Sequence, residues 1–324
     1  MSTTQQSRVV VHSKLTVVSS RPVKAGTAHA FTALDHAMGL HTLHVVFYYN
    51  HKLFGCFDLD PLRLSLSETL SLHPPVTGRI AQKPDGNWEV KCTDAGVRVF
   101  MARVGTTLDE WLRSADGSEE RLLTVWDDMP DDPSTWSPYR IQVGSFKLLQ
   151  RPPVREGKKL CSGWHYGNAL HFSMLSVADV EEEERANGLG HVAGAVHRHV
   201  WSQKEEEFWS GVDWFGSQKG EEGKFGAAFR MYGPELTCVS MEHMNEKEPL
   251  MYAAMFDKDK KPAHVSYHVG NVEGEGLIMV MPAPEGGLGR MVMVTLPEEE
   301  LAQLCEAQPI LSLKPTMLLS GKQA

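Results

Sequence analysis

Long apolar runs are missing from this chain. The longest are strand-like, such as residues 277–284 (LIMVMPAP), far below the roughly 20 residues that a membrane-spanning helix needs. The first residues, MSTTQQSRVVVHSK, lack the apolar core of a secretory signal. Cysteine is scarce. Cys56, Cys92, Cys161, Cys238 and Cys305 are odd in number and widely scattered, and no pair has metal-ligand or redox spacing, which points to reduced, buried thiols. Basic clusters are equally rare: the longest, Lys258 to Lys261, is interrupted by Asp259. With a net charge of −9, the chain is a poor partner for nucleic acid, whose phosphates need clustered Lys and Arg. These absences together predict a soluble, cytoplasmic protein with no membrane span.

Several catalytic signatures are missing too. There is no G-x-x-x-x-G-K-[ST] and no G-x-G-x-x-G after a strand; Gly188-x-Gly190-x-x-Ala193 comes near but follows the acidic run Glu181–Glu184. The Gly-rich tail (Gly270, Gly274, Gly276, Gly286, Gly287, Gly289) therefore does not read as a nucleotide-phosphate cradle. No serine sits in a G-x-S-x-G elbow, which removes the usual hydrolase reading. None of the fifteen histidines has an aspartate four residues after it.

What is present is globular. An apolar fraction of 42% and a charged fraction of 23% exclude disordered and fibrous classes, and 324 residues suffice for two domains. Strands are predicted at 9–20, at 42–50 (TLHVVFYYN), around Trp88–Cys92 and Val97–Val104, and at Tyr139–Leu149. The Asp94-Ala95-Gly96 turn joins the third and fourth of these. Asp60-Pro61 opens a helix with Leu62, Leu64, Leu66, Leu70 and Leu72 as an apolar face, stopped by His73-Pro74-Pro75. Residues 126–138 form an acidic, Pro-rich loop, and 151–160 (RPPVREGKKL) have boundary composition. Beyond them come a strand at Leu170–Val177, a helix with Leu189, Val192, Val196 and Val200 at helical spacing, and a helix with Phe208, Val212 and Phe215. The tail alternates strands (Leu236–Met241, Ala263–Tyr267, Leu277–Met281, Met291–Leu296) with a last helix, Pro297–Glu306.

Several collinear segments resemble the plant BAHD acyltransferases, which move acyl groups from coenzyme A thioesters to alcohols or amines. FTALD (Phe31–Asp35) followed by HVVFYY (His44–Tyr49) is similar to the family's first strand region. LHPPVTGRI (Leu72–Ile80) resembles its "yPlAGR" turn, with Gly78-Arg79 as the matching pair, and KCTDAGVRVF (Lys91–Phe100) resembles "cnd-GV-f". WHYGNALHFS (Trp164–Ser173) resembles the "gYfGNa" segment, and residues 273–287 the late strand and Gly-rich turn. The first region is nearest in flavour to the Eceriferum-type branch, some of whose members are not conventional transferases.

The resemblance implies an α/β fold of two chloramphenicol-acetyltransferase-like domains, mixed sheets flanked by helices, at 1–163 and 164–324. Two departures qualify it. Family members carry His-x-x-x-Asp, whose histidine is the general base on the acceptor; here Leu160-Cys161-Ser162-Gly163 resembles the lead-in, and Trp164 onward already resembles the second domain. One contiguous block is thus expected to be missing at about Gly163, as a real product or as a shortened form of a longer gene product. The "DFGWG" signature should fall at Phe256-Asp257-Lys258-Asp259-Lys260, and only Lys261-Pro262 survives.

Weak substitutes for the base are His165 and His171, which read more simply as strand residues of the second domain. His264 and His268 stand at the i, i+4 spacing of a metal pair but in a strand-like segment without a third ligand, so no metal is expected. His41 and His44, and His197 and His199, read as partly buried polar residues. By register with relatives, Thr42, Val45 and Phe47 match acceptor-channel positions, although alternation turns half of any such set toward the core. The function implied is transfer from acyl-CoA, a co-substrate rather than a bound cofactor, to an alcohol or amine, with little or no activity for want of the base. The alternative is a non-catalytic accessory protein in very-long-chain lipid (wax) synthesis, acting through a lipid-elongation enzyme.

Overall fold

The computed structural model describes residues 7–39, 41–50, 59–127, 130–146, 173–176, 189–220, 223–226, 236–241, 262–270, 276–283 and 289–318. Within these the chain is mixed α/β, with strands β1 (Val9–Val17), β2 (Ala28–Ala30), β3 (Leu43–Tyr48), β4 (Arg79–Gln82), β5 (Trp88–Lys91), β6 (Val97–Val104), β7 (Arg140–Ser145), β8 (Thr237–Ser240), β9 (His264–Val269), β10 (Leu277–Pro282) and β11 (Arg290–Thr295). They pair in the orders β1-β6-β7, β2-β5-β4, β3-β9 and β11-β10-β8. The first and last of these sheets are mixed: β6 runs antiparallel to β1 and parallel to β7, and β10 antiparallel to β11 and parallel to β8.

The β1-β6-β7 sheet buries both faces, each over only half its length. Register shifts between Val11 and Ser13, a local irregularity that exchanges the inward set of side chains. At one end Val17, Val97 and Val99 pack with Leu70 of the helix Leu59–Leu70. At the other, Val9, Ala102 and Val104 pack with Val46, Tyr48, Trp111, Ala115 and Leu123. Trp111 is fully buried, on the helix Leu108–Ser114, whose first turn is capped by the Thr107 side chain. A third cluster joins Val265 and Tyr267 to Leu277, Met279 and Met281.

Gly78 explains one sequence feature in steric terms. A Cβ there would sit 2.5 Å from the Lys91 carbonyl oxygen and from Val90 Cγ1, so only glycine lets β5 approach. The neighbouring Arg79 donates to the carbonyls of Gly78 (2.7 Å), Gly96 (3.0 Å) and Ala95 (3.1 Å), locking the turn that carries Asp94 and Gly96 at positive φ.

The turn Asp94-Ala95-Gly96 joins β5 and β6 as expected, but they belong to different sheets, so it is a crossing rather than a hairpin. In the helix Leu59–Leu70 only Leu70 and, in part, Leu66 face the core, and Leu64 is exposed. The helix Leu189–Ser202 forms, yet Val192, Val196 and Val200 are exposed, because periodicity states which residues share a face and not whether anything covers it. Described residues 173–176 of the expected strand at 170–177 are not a strand; the Ser173 hydroxyl meets His199 Nε2 instead (2.9 Å). Cys92 is buried as expected, whereas Cys238 is exposed, because strand alternation turns its neighbour Val239 toward the Leu277–Met281 cluster and Cys238 to the other face. No helix among the described residues is long and apolar enough to cross a membrane.

Trp111→Ala should cost about 3–5 kcal/mol by emptying a fully buried indole site, measured as a lower urea midpoint with far-UV circular dichroism retained in the absence of denaturant.

Candidate functional site

The β3-β9 pair joins strands more than two hundred residues apart in the chain and separates two of the hydrophobic clusters. Its antiparallel register sets His44 opposite His268, Val46 opposite Ser266 and Tyr48 opposite His264. Strand alternation puts these six side chains on one face, which meets the Trp111 cluster. Val45, Val265 and Tyr267 lie on the other, against Leu277, Met279 and Met281. The same face of the ribbon is therefore apolar where Val46 packs and polar where the histidines and tyrosine gather.

Glu120 reaches this polar face. It ends the four-residue helix Gly117–Glu120, started by a capping box in which Asp116 accepts from the Glu119 N–H and Glu119 reaches back. Tyr48 Oη donates to Glu120 Oε1, Trp111 Nε1 donates to Tyr48 Oη (3.3 Å), and His268 Nε2 meets Glu120 Oε2 at 2.8 Å. Burial by itself pushes the Glu120 carboxyl up, but the hydrogen bonds from His268 and Tyr48 and the charge on His268 outweigh it and hold the pKa below the ordinary value. Glu120 is therefore ionised, and His268 Nε2 is the donor. Burial, reinforced by the Glu120 charge, pushes the Tyr48 phenol far up and keeps it protonated.

Beside this trio stands an aromatic stack. His44 lies flat on Trp126 (3.7 Å between centroids, 23° between planes), with the Arg121 guanidinium 3.9 Å from the same indole and His268 edge-on at 6.4 Å. His44 Nε2 is buried without a hydrogen-bond partner. Burial first, then the charges of His268, Arg121 and Arg140, lower its pKa to about 4 against the opposing pull of Asp127. His44 is thus a neutral, stacked ring.

Chemically, the cluster is an imidazole oriented by a buried carboxylate. In the neutral form of His268, with Nε2–H donated to Glu120, the lone pair would lie on Nδ1; the side chain keeps 16% exposure. That is the arrangement a general base requires: a partner fixing the tautomer and a second nitrogen left to take a proton.

The residues singled out in the sequence fall variously. His165 and His171, like the join at 163/164, lie outside the described residues. Val45 packs toward the C-terminal cluster, Phe47 is 38% exposed on the same side, and Thr42 precedes the strand, its carbonyl accepting from Gly270 N–H at 2.8 Å. Of the two histidines at i, i+4 spacing, His264 Nε2 meets the Ser266 hydroxyl (3.0 Å) and His268 meets Glu120. Glu120, Tyr48 and Trp126 carried no signal in the sequence. The one available cue was the Asp116-x-x-Glu119 capping pattern, which announces a helix start and, beside it, a carboxylate held in place.

Comparison with known proteins places residues 7–148 in the Transferase family model. Protein ECERIFERUM 26 of Arabidopsis thaliana is 31% identical over 108 residues, which are 33% of this chain and 25% of that protein. Protein ECERIFERUM 2 of the same plant is 28% identical over 141 residues, 40% of this chain and 34% of that protein. Putrescine hydroxycinnamoyltransferase 1 of Oryza sativa subsp. japonica is 38% identical over 69 residues, 21% of this chain and 16% of that protein. The solved structure of vinorine synthase superposes with a TM-score of 0.36 at 19% identity, covering 43% of this chain and 35% of its own. The chain matches about a quarter to a third of the length of its Eceriferum relatives.

The two depressed groups give acid sensitivity a definite order. His44 takes up its proton near pH 4 in the folded state but near 6.5 when unfolded. The unfolded chain therefore binds more protons in between, and stability should fall as pH drops from about 6.5 to about 4. Glu120, with its folded pKa depressed, adds stability that is lost below its ordinary carboxylate range. Urea titrations at stepped pH should show His44→Gln flattening the upper window and Glu120→Gln the lower one. His268→Ala, which removes one donor from the buried Glu120 carboxylate, should cost about 3–5 kcal/mol at pH 7; a loss under 1 kcal/mol in the same urea titration would count against the pairing.

Proposed function

As the chain belongs, through residues 7–148, to the BAHD acyltransferase family near its Eceriferum branch, we propose that it is an acyltransferase-like protein that binds acyl thioesters but transfers their acyl groups slowly or not at all. One observation carries this reading: no histidine of the chain is followed four residues later by aspartate. In acyl transfer the acceptor oxygen or nitrogen attacks the thioester carbonyl, its proton passes to a base, and the coenzyme A thiol leaves. Without a base placed for that proton, the step loses roughly 10²–10⁴ in rate. The role that remains is binding. By resemblance to the Eceriferum branch, this is an accessory role in very-long-chain lipid synthesis beside a lipid-elongation enzyme, in the cytoplasm.

A second reading has its own support. His268 is held by the buried Glu120 carboxylate, so a slow transferase would use the His268–Glu120 pair as a replacement base. Hydroxycinnamoyltransferases among the similar proteins make alcohol and amine acceptors the natural panel for either reading.

The test is free-thiol release from hydroxycinnamoyl-CoA and long-chain acyl-CoA with such a panel, alongside direct binding of each thioester. Binding without measurable release is the expected result. Turnover in the ordinary range for base-equipped transferases would overturn the accessory reading. Slow release abolished by His268→Gln, yet unchanged in the His165→Ala/His171→Ala double variant, would establish the replacement base.

A further inference from the structure

At one end of the β1-β6-β7 sheet, away from the Trp111 cluster, three arginines converge. Arg98 on β6 and Arg140 on β7 are register partners, so their side chains share a face. Arg79 reaches the same end of β6 by its bonds to the Ala95 and Gly96 carbonyls. We propose that this convergence is a binding site for a phosphate monoester.

Charge balance is the first argument. Among the described residues, Arg140 pairs with Asp127 (2.7 Å), whereas Arg79 and Arg98 donate to neutral backbone carbonyls, Arg98 to that of Thr135 at 3.1 Å. Among the described residues only one of the three guanidiniums is directly ion-paired, and the other two have no carboxylate within hydrogen-bond reach. Nearby Asp94 and Asp132 are turned to the backbone N–H groups of Ser19 (2.9 Å) and Ser134 (3.0 Å). Like charges directly opposite across a sheet are destabilising, so in a chain of net charge −9 the arrangement calls for an anion. A monoester carries close to two negative charges near neutral pH and offers three acceptor oxygens.

Unfilled donors are the second argument. Arg140 Nε and Trp136 Nε1 are both buried without a hydrogen-bond partner, and the Arg140 guanidinium lies 4.9 Å from the Trp136 ring. The Arg140 side chain is 10% exposed and anchored by Asp127, whereas its register partner Arg98 is exposed to solvent. Burial first, and then Arg98 and Arg140, lower the Arg79 pKa with no carboxylate opposing them, consistent with cations short of a counter-charge. Planar, always-charged forks of this kind suit phosphate geometry.

The proposal does not rest on the acyl-transfer reading, and its failure would leave that reading untouched. The full chain is titrated with inorganic phosphate against chloride at matched ionic strength, by calorimetry and by thermal unfolding. Saturable binding and a raised Tm are expected with phosphate alone, and Arg98→Gln, at an exposed position, should weaken binding about tenfold or more while unfolding normally in chloride. Phosphate stabilising no more than chloride, or Arg98→Gln binding phosphate as the native chain does, would overturn the proposal. Coenzyme A and dephospho-coenzyme A then distinguish the source. A preference for the 3′-phosphorylated form that Arg98→Gln abolishes assigns the site to the thioester's own monoester. Equal binding of the two, with phosphate binding intact, assigns it to another phosphorylated ligand.

Discussion

The Glu120 carboxylate is the point at which distant parts of the chain are tied together. It accepts from Tyr48 on β3 and from His268 on β9, and so fastens across the strand pair that lies between the Trp111 cluster and the Met279 cluster. A buried carboxylate without donors would cost several kcal/mol. Here each oxygen has a donor, and the Trp111 indole extends the network to a fully buried helix. The ladder hydrogen bonds of β3 and β9 give the pairing its direction, while Glu120, reading both strands from outside the sheet, discriminates against a register slip that would turn Tyr48 and His268 away.

The same tie shapes the chemistry. An imidazole fixed through Nε2 by a buried carboxylate is a structural clamp and, by geometry alone, also a base in waiting. The neutral His44 stacked on Trp126 and the charge of Arg121 border it. The strand pair that carries the cluster is packed on both faces, by the Trp111 cluster on one side and the Met279 cluster on the other. The arginine convergence at the end of the β1-β6-β7 sheet is a different kind of feature, a local gathering of three cations of which one is directly ion-paired among the described residues.

Much of the secondary structure was legible because its causes are local. β-Branched alternation announced β1, β3 and β6, Asp60-Pro61 and His73-Pro74-Pro75 bracketed a helix, and Pro297 with three glutamates opened the last one. The short strands β2 and β4 and the helix Leu108–Ser114 were not read, since each is too short to build a periodic signal of its own. The exposed Val192, Val196 and Val200 show the limit of periodicity in the other direction.

By itself the sequence carried the resemblance that the Transferase family model matches over residues 7–148, through collinear motifs such as Leu72–Ile80 and Lys91–Phe100, and it carried the absence of any His-x-x-x-Asp, a fact of order along the chain. The tertiary structure alone decided that His268 meets Glu120, that His44 stacks on Trp126, and that Arg98 stands beside Arg140. These contacts join residues as much as 148 positions apart, and they arise from strand register and from the approach of separate elements, neither of which leaves a trace in the spacing of residues along the chain.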